Sequence, residues 1–399
     1  MKVLIANKFY YPRGGDCVVA MSTRRLLAEA GHEVRVFAMD YPDNVEMPES
    51  AGFASRVDFS DSLPGKLRAV GRIFGHAGVR RAFGRVLDEF RPDVVHLHNI
   101  HSYLSPALAE EARQRGIRTV WTLHDYKLIC PAYSCRRPGG EICQECVGQG
   151  KNGVLRHRCM KGSLVQSLMA GAEARFWNRR RLERATDLFI APSRFMANKM
   201  MEDGYSPSRI LPICNFVDPD KMAVLDAVSP DQPRDGFCYV GRLSEEKGVE
   251  TMLKAAAASG VRLRVAGDGP LGESLRAAYS GKGNIEFLGH LDASGVAELL
   301  SRSLASVIPS EWYENNPLGV IESLCAGTPV IGAAIGGIPE LIGPADGITF
   351  TPGSAEELAA VFSSFGKRHA FDPASIAARA RKAFSAETHL DKLLKAYGA

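Results

Sequence analysis

The chain has 399 residues, too many for one ordinary hydrophobic core, and its 45% hydrophobic and 24% charged content is that of a soluble globular protein. Nothing in it approaches eighteen consecutive apolar residues, which excludes a membrane-spanning helix. The net charge of +4 is unevenly shared: residues 1–205 carry 31 Lys and Arg against 22 Asp and Glu, and the remainder 18 against 23, which marks two units with different partners. A basic first half can attract nucleic acid, anionic lipid or phosphorylated ligands, and the sign alone does not choose.

Met1 to Ala6 is too short an apolar run for a signal peptide and reads as a first strand. The protein is then expected in the cytosol, with its nine cysteines as thiols or metal ligands rather than disulfides. A helix follows over Val18 to Ala30, closed by Gly31, then a strand over Glu33 to Ala38. Val94 to Leu97, a helix from Pro106 to Arg115 ended by Gly116, and Thr119 to Leu123 make a further strand–helix–strand unit. Leu188 to Ala191 is a strand with a helix after Ser193. The second half repeats this grammar: strands at Phe237–Val240, Leu263–Ala266, Ile285–Leu288, Leu304–Ile308 and Pro329–Ile331, with helices at Val249–Ser259, Ala293–Ser303 and Pro317–Ala326. Short apolar runs alternating with amphipathic helices predict an α/β protein with parallel sheets covered on both faces. The expected division is a first domain over 1–216, a second over 217–375, and a terminal helical stretch over 376–399 that packs back on the first. A cleft is expected where the two domains face each other. Three stretches break the pattern: 41–65, the Gly- and Cys-rich insert 130–162, and 226–235, the last reading as an exposed connection.

Glu314 and Glu322 stand seven residues apart in the run Ser310 to Glu322. Asn316 followed by Pro317 reads as a helix start, a capping side chain before the residue that best tolerates the first helical position. One carboxylate then lies before the helix and the other about two turns inside, with outward-pointing amides between them. A nucleotide-sugar suits this pattern, with phosphates on the amides and hydroxyls on the carboxylates. The plain alternative is a pair of solvated glutamates beside an ordinary helix.

The segment Gly241 to Gly248 follows the first strand of the second half, where a glycine lets backbone approach a ligand closely. Arg242 offers a planar fork and Lys247 a point charge, both suited to a diphosphate. Gly267-Asp268-Gly269-Pro270-Leu271-Gly272 has the G-x-G-x-x-G spacing of a dinucleotide loop but lies in mid-domain, so a glycine-rich turn near a nucleotide base or a plain loop fits as well. Gly14 and Gly15 precede the first helix, and His124-Asp125 closes a strand at the equivalent edge. Asp218-Pro219-Asp220 reads as a helix cap rather than a metal pair.

Five cysteines, Cys130, Cys135, Cys143, Cys146 and Cys159, have the spacing C-x4-C-x7-C-x2-C-x12-C, with His157 nearby. Four of them could hold a tetrahedral zinc that staples a loop with little core of its own; free structural thiols are the alternative. Cys17, Cys214, Cys238 and Cys325 are scattered and read as buried apolar residues. Over Lys66 to Phe83, Leu67, Val70, Ile73, Phe74 and Ala77 share one helical face with Arg68 and Arg72 opposite, which suits either a membrane-surface contact or a helix lying on the first domain.

Together these motifs resemble retaining glycosyltransferases of the GT-B fold, family 4. The resemblance spans nearly the whole chain. It is carried by Gly14-Gly15, Gly31-His32-Glu33-Val34, His124-Asp125, Asn215-Phe216-Val217-Asp218 and Gly241-Arg242-Leu243 with Lys247-Gly248. Gly267-Asp268-Gly269-Pro270, Glu314-x7-Glu322, Ala326-Gly327-Thr328-Pro329-Val330 and Gly336-Gly337-Ile338-Pro339-Glu340 complete it. It implies two Rossmann-like doubly wound domains, with the second holding a nucleotide-diphosphate sugar and the first an acceptor. In that reading Arg242 and Lys247 bind the diphosphate, Glu322 meets the ribose hydroxyls, and Glu314 meets the sugar ring beside amides near Asn316, Pro317, Leu318 and Gly319. His124 meets the sugar from the first domain, and Gly14, Gly15, Gly241, Gly267, Asp268 and Gly269 line the substrate. Transfer proceeds with retention by front-face attack, with no metal required for catalysis. The family often has Gly-Phe-Gly after the first glutamate, whereas here Asn315-Asn316-Pro317-Leu318-Gly319 follows, so sugar choice can differ.

The implied role is building cell-surface polysaccharide on a lipid-linked or oligosaccharide acceptor at the cytoplasmic face of the membrane, with no nucleic-acid partner. Three rivals stand beside it: a nucleotide-sugar epimerase on the same scaffold, a nicotinamide oxidoreductase using Gly267 to Gly272, and a non-catalytic sugar-nucleotide sensor.

Overall fold

A computed structural model describes residues 1–57, 63–229, 232–366 and 370–398 of the chain, without the side chains of 63, 64 and 66–68. Two units emerge, Met1–Cys214 with Leu390–Ala399, and Asn215–His389. Each is built on one six-stranded, wholly parallel sheet.

The first sheet holds β1 (Lys2–Ala6), β2 (Glu33–Phe37), β3 (Val94–Leu97), β4 (Arg118–Thr122), β5 (Leu188–Ala191) and β6 (Ile210–Pro212), in the order β2-β1-β3-β4-β5-β6. The second holds β7 (Phe237–Val240), β8 (Leu263–Ala266), β9 (Ile285–Gly289), β10 (Ala305–Ile308), β11 (Val330–Ala333) and β12 (Gly347–Phe350), in the order β12-β11-β10-β7-β8-β9. Central strands such as β3, β10 and β11 are buried on both faces, as continuous apolar runs require. In each sheet the first strand in sequence pairs on both sides, β1 with β2 and β3, β7 with β8 and β10. The order of winding therefore reverses at β1/β3 and at β7/β10. Doubly wound sheets bind their ligands at such reversals, outside the carboxyl ends of the strands.

Local signals account for the helix ends near these edges. The helix Gly15–Glu29 stops before Gly31, whose φ of +85° suits a residue without Cβ. The helix Arg194–Glu202 is capped by the Ser193 hydroxyl, which accepts from the Met196 amide. Asp218 caps the helix Pro219–Asp226 with Pro219 at its first position, the helix-cap role expected of Asp218-Pro219-Asp220.

Two expectations need correction. Lys66 to Phe83 is not one exposed amphipathic helix: it is split into Leu63–Ile73 and Ala77–Phe90 by a turn at Gly75, with φ +84°. Arg72, expected on the polar side, is buried and donates to the carbonyls of Ser55 and Tyr103, while Ile73 and Phe83 enter the core. The Lys66, Leu67 and Arg68 side chains lie outside the described residues. Second, the terminal stretch 376–399 is divided. Ile376 and Ala380, on the helix Pro373–Ala383, pack in the core of the second unit, whereas Leu393, Ala396 and Tyr397 join Val3, Ile5 and Val120 of the first. Tyr397 closes that contact with a buried 2.7 Å hydrogen bond between its hydroxyl and His96 Nδ1.

Candidate active site

In the second unit the loops after β7 and β10 leave neighbouring strands at the point of reversal and interlock. The first runs from Gly241 to Gly248 and contains the single turn Glu245–Lys247; the second runs from Pro309 to the helix Leu318–Cys325. Gly248, at φ +63°, lies so close to Pro309 that a Cβ would stand 1.9 Å from its carbonyl oxygen. The Glu311 amide donates to the Glu246 carbonyl, and Thr251 donates its hydroxyl to Glu311 Oε1 at 2.6 Å.

This interlock brings Lys247 to Glu314. The ammonium is 2.6 Å from Glu314 Oε1, which also accepts from the Ser310 hydroxyl at 2.8 Å. Lys247 lies 5.4 Å from the centroid of the Trp312 ring. Glu314 is 7% exposed, so its charge is largely removed from water and its partners matter. Arg242, in the same loop, is exposed, and among the described residues no carboxylate pairs with its guanidinium. Its carbonyl accepts from the Tyr239 hydroxyl at 2.8 Å. That phenol is held well above its ordinary pKa by burial first, then by the charges of Glu314 and Glu246, and so remains a donor.

Glu322 stands on the following helix, 2.6 Å from the Lys221 ammonium. Asn316 is not the cap of this helix. Its Oδ1 accepts from the Asn215 amide and its carbonyl from Asn215 Nδ2, while Pro317 takes the capping position in an extended conformation. Tertiary pairing has overridden the local capping signal. Trp312 Nε1 and Asn316 Nδ2 are buried donors with no acceptor among the described residues, and buried donors of that kind call for a ligand or water oxygen.

The glycines of the Gly267 loop have a packing explanation. A Cβ at Gly267 would stand 2.0 Å from the Gly241 carbonyl oxygen, and one at Gly269 2.5 Å from that of Leu243. The loops after β7 and β8 thus lie backbone to backbone, joined by Leu243 N to Asp268 O and Leu271 N to Leu243 O. Asp268 is exposed and accepts from its neighbouring Gly269 amide and from Arg276.

In the first unit the reversal at β1/β3 carries a polar cluster. Asp16, in the first turn of the helix after Gly14-Gly15, accepts from Asn99 Nδ2 at 2.8 Å and lies 3.8 Å from the Lys8 ammonium. Gly14 is extended, and a Cβ at Gly15 would meet nothing within 4 Å, so the first helical turn is open to an approaching group. His124 Nε2 is 2.9 Å from His98 Nδ1, their rings stacked. Burial lowers the His124 pKa to about 4, the Asp16 charge opposing and the Lys8 charge assisting, so the ring is neutral near pH 7. Asp125 is shifted the other way, raised by its own burial against Lys8 and the Lys127 amide. For Asp16, burial alone would raise the pKa, but Lys8, His124 and Asn99 outweigh it and the net shift is downward. Lys8, Asp16, His98 and Asn99 escaped the sequence reading, as did Lys221, Ser310 and Trp312. The pairing of strand ends at a reversal was the signal that could have found them.

Two family models divide the chain between them: Glycosyltransferase Family 4 over residues 13–221 and Glycosyl transferases group 1 over 227–382. The chain belongs to the group 1, family 4 glycosyltransferases. A 42.6 kDa protein in the cps region of Klebsiella pneumoniae is 25% identical over 86% of this glycosyltransferase and 87% of that protein. The lipopolysaccharide outer core galactosyltransferase WaaB, in its apo form, superposes with a TM-score of 0.67 at 16% identity, covering 99% of each chain. HepE of Anabaena in complex with UDP-glucose gives 0.63 at 16% identity, over 100% of this chain and 99% of its own. The fold is therefore GT-B, two Rossmann-like doubly wound units.

The cysteine insert of this glycosyltransferase has almost no regular structure beyond the turn Gly153–Arg156 and a bridge between Arg136 and Ile142. Cys130, Cys143, Cys146 and Cys159 line one small cavity, and Cys135 lies beside Cys130 outside it. His157 is turned away to Glu145, at 3.0 Å. All nine cysteines are free thiols, and among the described residues no three His, Cys, Asp or Glu side chains stand ready to hold a metal. No helix among the described residues is long and apolar enough to cross a membrane.

Proposed function

We propose that this glycosyltransferase moves a hexose-type sugar, with retention, from a nucleoside-diphosphate sugar to a lipid-linked saccharide in the building of cell-surface polysaccharide. The Lys247–Glu314–Ser310 contact at the β7/β10 reversal, with Arg242 on the same loop as Lys247, supports the reading. Arg242 is a fork without a carboxylate, and the Lys247 ammonium can bridge Glu314 and a phosphate oxygen; together they neutralise charge on the departing diphosphate, the main need of such a transfer. The open amides at Leu318 and Gly319 and the unmet donors of Trp312 and Asn316 add further contacts for anionic or hydroxyl oxygens. Glu322, balanced by Lys221, accepts from ribose hydroxyls. In the first unit, neutral His124 and the Asp16 carboxylate are offered to the acceptor. The donor class draws support from UDP-glucose in HepE, and the pathway from the cps-region relative and WaaB.

A peripheral membrane contact fits the lipid-linked acceptor. Leu164, Val165 and Leu168 are exposed on the helix Leu164–Phe176, just after the exposed Arg156, Arg158 and Lys161, a combination suited to an anionic surface.

A thermal-shift panel of UDP-, GDP-, ADP- and dTDP-sugars tests the donor assignment. One class should raise the Tm of the wild type, Arg242→Ala should lose that rise, and Glu322→Ala should reduce it. Retention of the full rise by both variants would remove the proposed site. NMR of the transferred linkage then reads the anomeric outcome, and a changed nucleotide-sugar released without acceptor would overturn transfer in favour of epimerisation.

A further inference from the structure

We propose that Cys130, Cys143, Cys146 and Cys159 form a four-thiolate zinc site that cross-links the insert 130–162 beside the sheet edge carrying His124. The insert has little apolar core of its own and is held largely by polar contacts such as Arg137 with Glu141 and Glu145. Its buried side chains are three of the five cysteines with Pro131, Ala132 and Val154. Four of the seven non-glycine residues with positive φ among the described residues lie in or beside it, Tyr133, Cys135, Arg158 and Lys161. A loop with so little apolar burial and so much unfavourable backbone needs a cross-link.

The geometry selects the four ligands. The cavity they line is about 10 Å3, the space of a single small sphere, which suits one ion. Groups already face the sulfurs: the Cys135 thiol and the Cys135 and Ala132 amides beside Cys130, and the Val154 amide beside Cys146. Hydrogen bonds of that kind are the outer shell of a metal-bound thiolate. Each cysteine turns about a single side-chain bond, and tetrahedral Zn–S distances of about 2.3 Å are reached by drawing the four sulfurs inward from their positions around the cavity. On binding, each ligating thiol releases its proton to solvent and no electron is transferred. Cys135 is outside the cavity lining, its thiol hydrogen-bonded to that of Cys130 and its carbonyl accepting from the Cys143 amide. The insert begins six residues after His124 and is tied down by the Lys151 ammonium, which donates to the Ile129 and Cys146 carbonyls and to Asp203. A metal there would order the loop beside the proposed acceptor residues while touching no substrate.

The test is metal analysis of the full-length protein purified without chelator. One zinc per chain is expected, retained in Cys135→Ser and lost in Cys143→Ser. Cobalt exchanged into the wild type should give the intense visible bands of a tetrahedral thiolate site. Because a variant can fail for want of folding, thiol titration of the wild type before and after chelation is the second measurement. Four thiols should become reactive only after the metal is withdrawn. Metal-free wild type with unchanged thiol reactivity, a Cys143–Cys146 disulfide, or iron with inorganic sulfide would each overturn the zinc site.

Discussion

Glu314 is a buried carboxylate whose charge is met by Lys247 and Ser310, and this sets the cost of disturbing it. Lys247→Ala would strand the carboxylate; with the lysine side chain 28% exposed, solvent screening reduces the expected loss to about 1–2 kcal/mol. Lys247→Met combined with Glu314→Gln should recover most of that loss in urea unfolding, because no charge is then left unpaired; equal and additive losses would show that the pair is not coupled. His124 supplies a second expectation. Its pKa falls from the ordinary 6.5 to about 4 on folding, so the unfolded chain binds the proton first and stability falls as pH drops from about 6.5 toward 4. Asp16, whose pKa is lowered, loses its contribution only at still lower pH, as its carboxylate protonates. Asp125, with a raised pKa, works in the opposite sense and gains stability on acidification. Urea melts across this range should show a shallower acid loss in His124→Gln than in the wild type; parallel curves would contradict the shift. At this scale the sequence named both Lys247 and Glu314, but Glu322 without Lys221 and His124 without His98. A partner on another strand or helix leaves no local trace, whether it lies 26 residues away, as His98 does, or about a hundred, as Lys221 does.

At the scale of elements, glycines separate packing from function. Gly248 and Gly267 carry positive φ and abut carbonyl oxygens, so Gly248→Ala should destabilise the second unit by roughly 2–3 kcal/mol. Gly319 lies in the first helical turn, where a Cβ would be 3.6 Å from Ile308 Cδ1. Gly319→Ala should therefore keep or slightly raise stability while weakening donor binding at the helix mouth. Loss of stability without loss of the nucleotide-sugar thermal shift would contradict that division. The strand and helix runs near the edges were legible because parallel strands are continuous apolar runs. The two helices of 63–90 read as one because Gly71, Gly75 and Gly78 blur the period, and the strands Ile210–Pro212 and Gly347–Phe350 went unread because three or four residues carry too little pattern.

For the whole molecule, the last ten residues belong to the first unit although 175 residues of the second precede them. Leu393 is 1% exposed among Val3, Ile5 and Leu27, so Leu393→Ala should cost about 2–4 kcal/mol of first-unit stability. Tyr397→Phe, which removes only the hydroxyl bonded to His96, should cost about 1–2 kcal/mol. A loss confined to the second unit's transition would contradict the assignment of the terminal segment.

Hydrophobic alternation, glycine placement and the order of motifs were enough to establish two doubly wound sheets and the family, because those signals are local and repeat along the chain. Which cation faces which carboxylate, that Asn316 serves Asn215 instead of a helix end, which four thiols share a cavity, and where the terminal segment returns were decided only by tertiary structure. Each depends on residues far apart in the chain meeting in space, and that meeting is set by packing of the sheets and not by any neighbour in sequence.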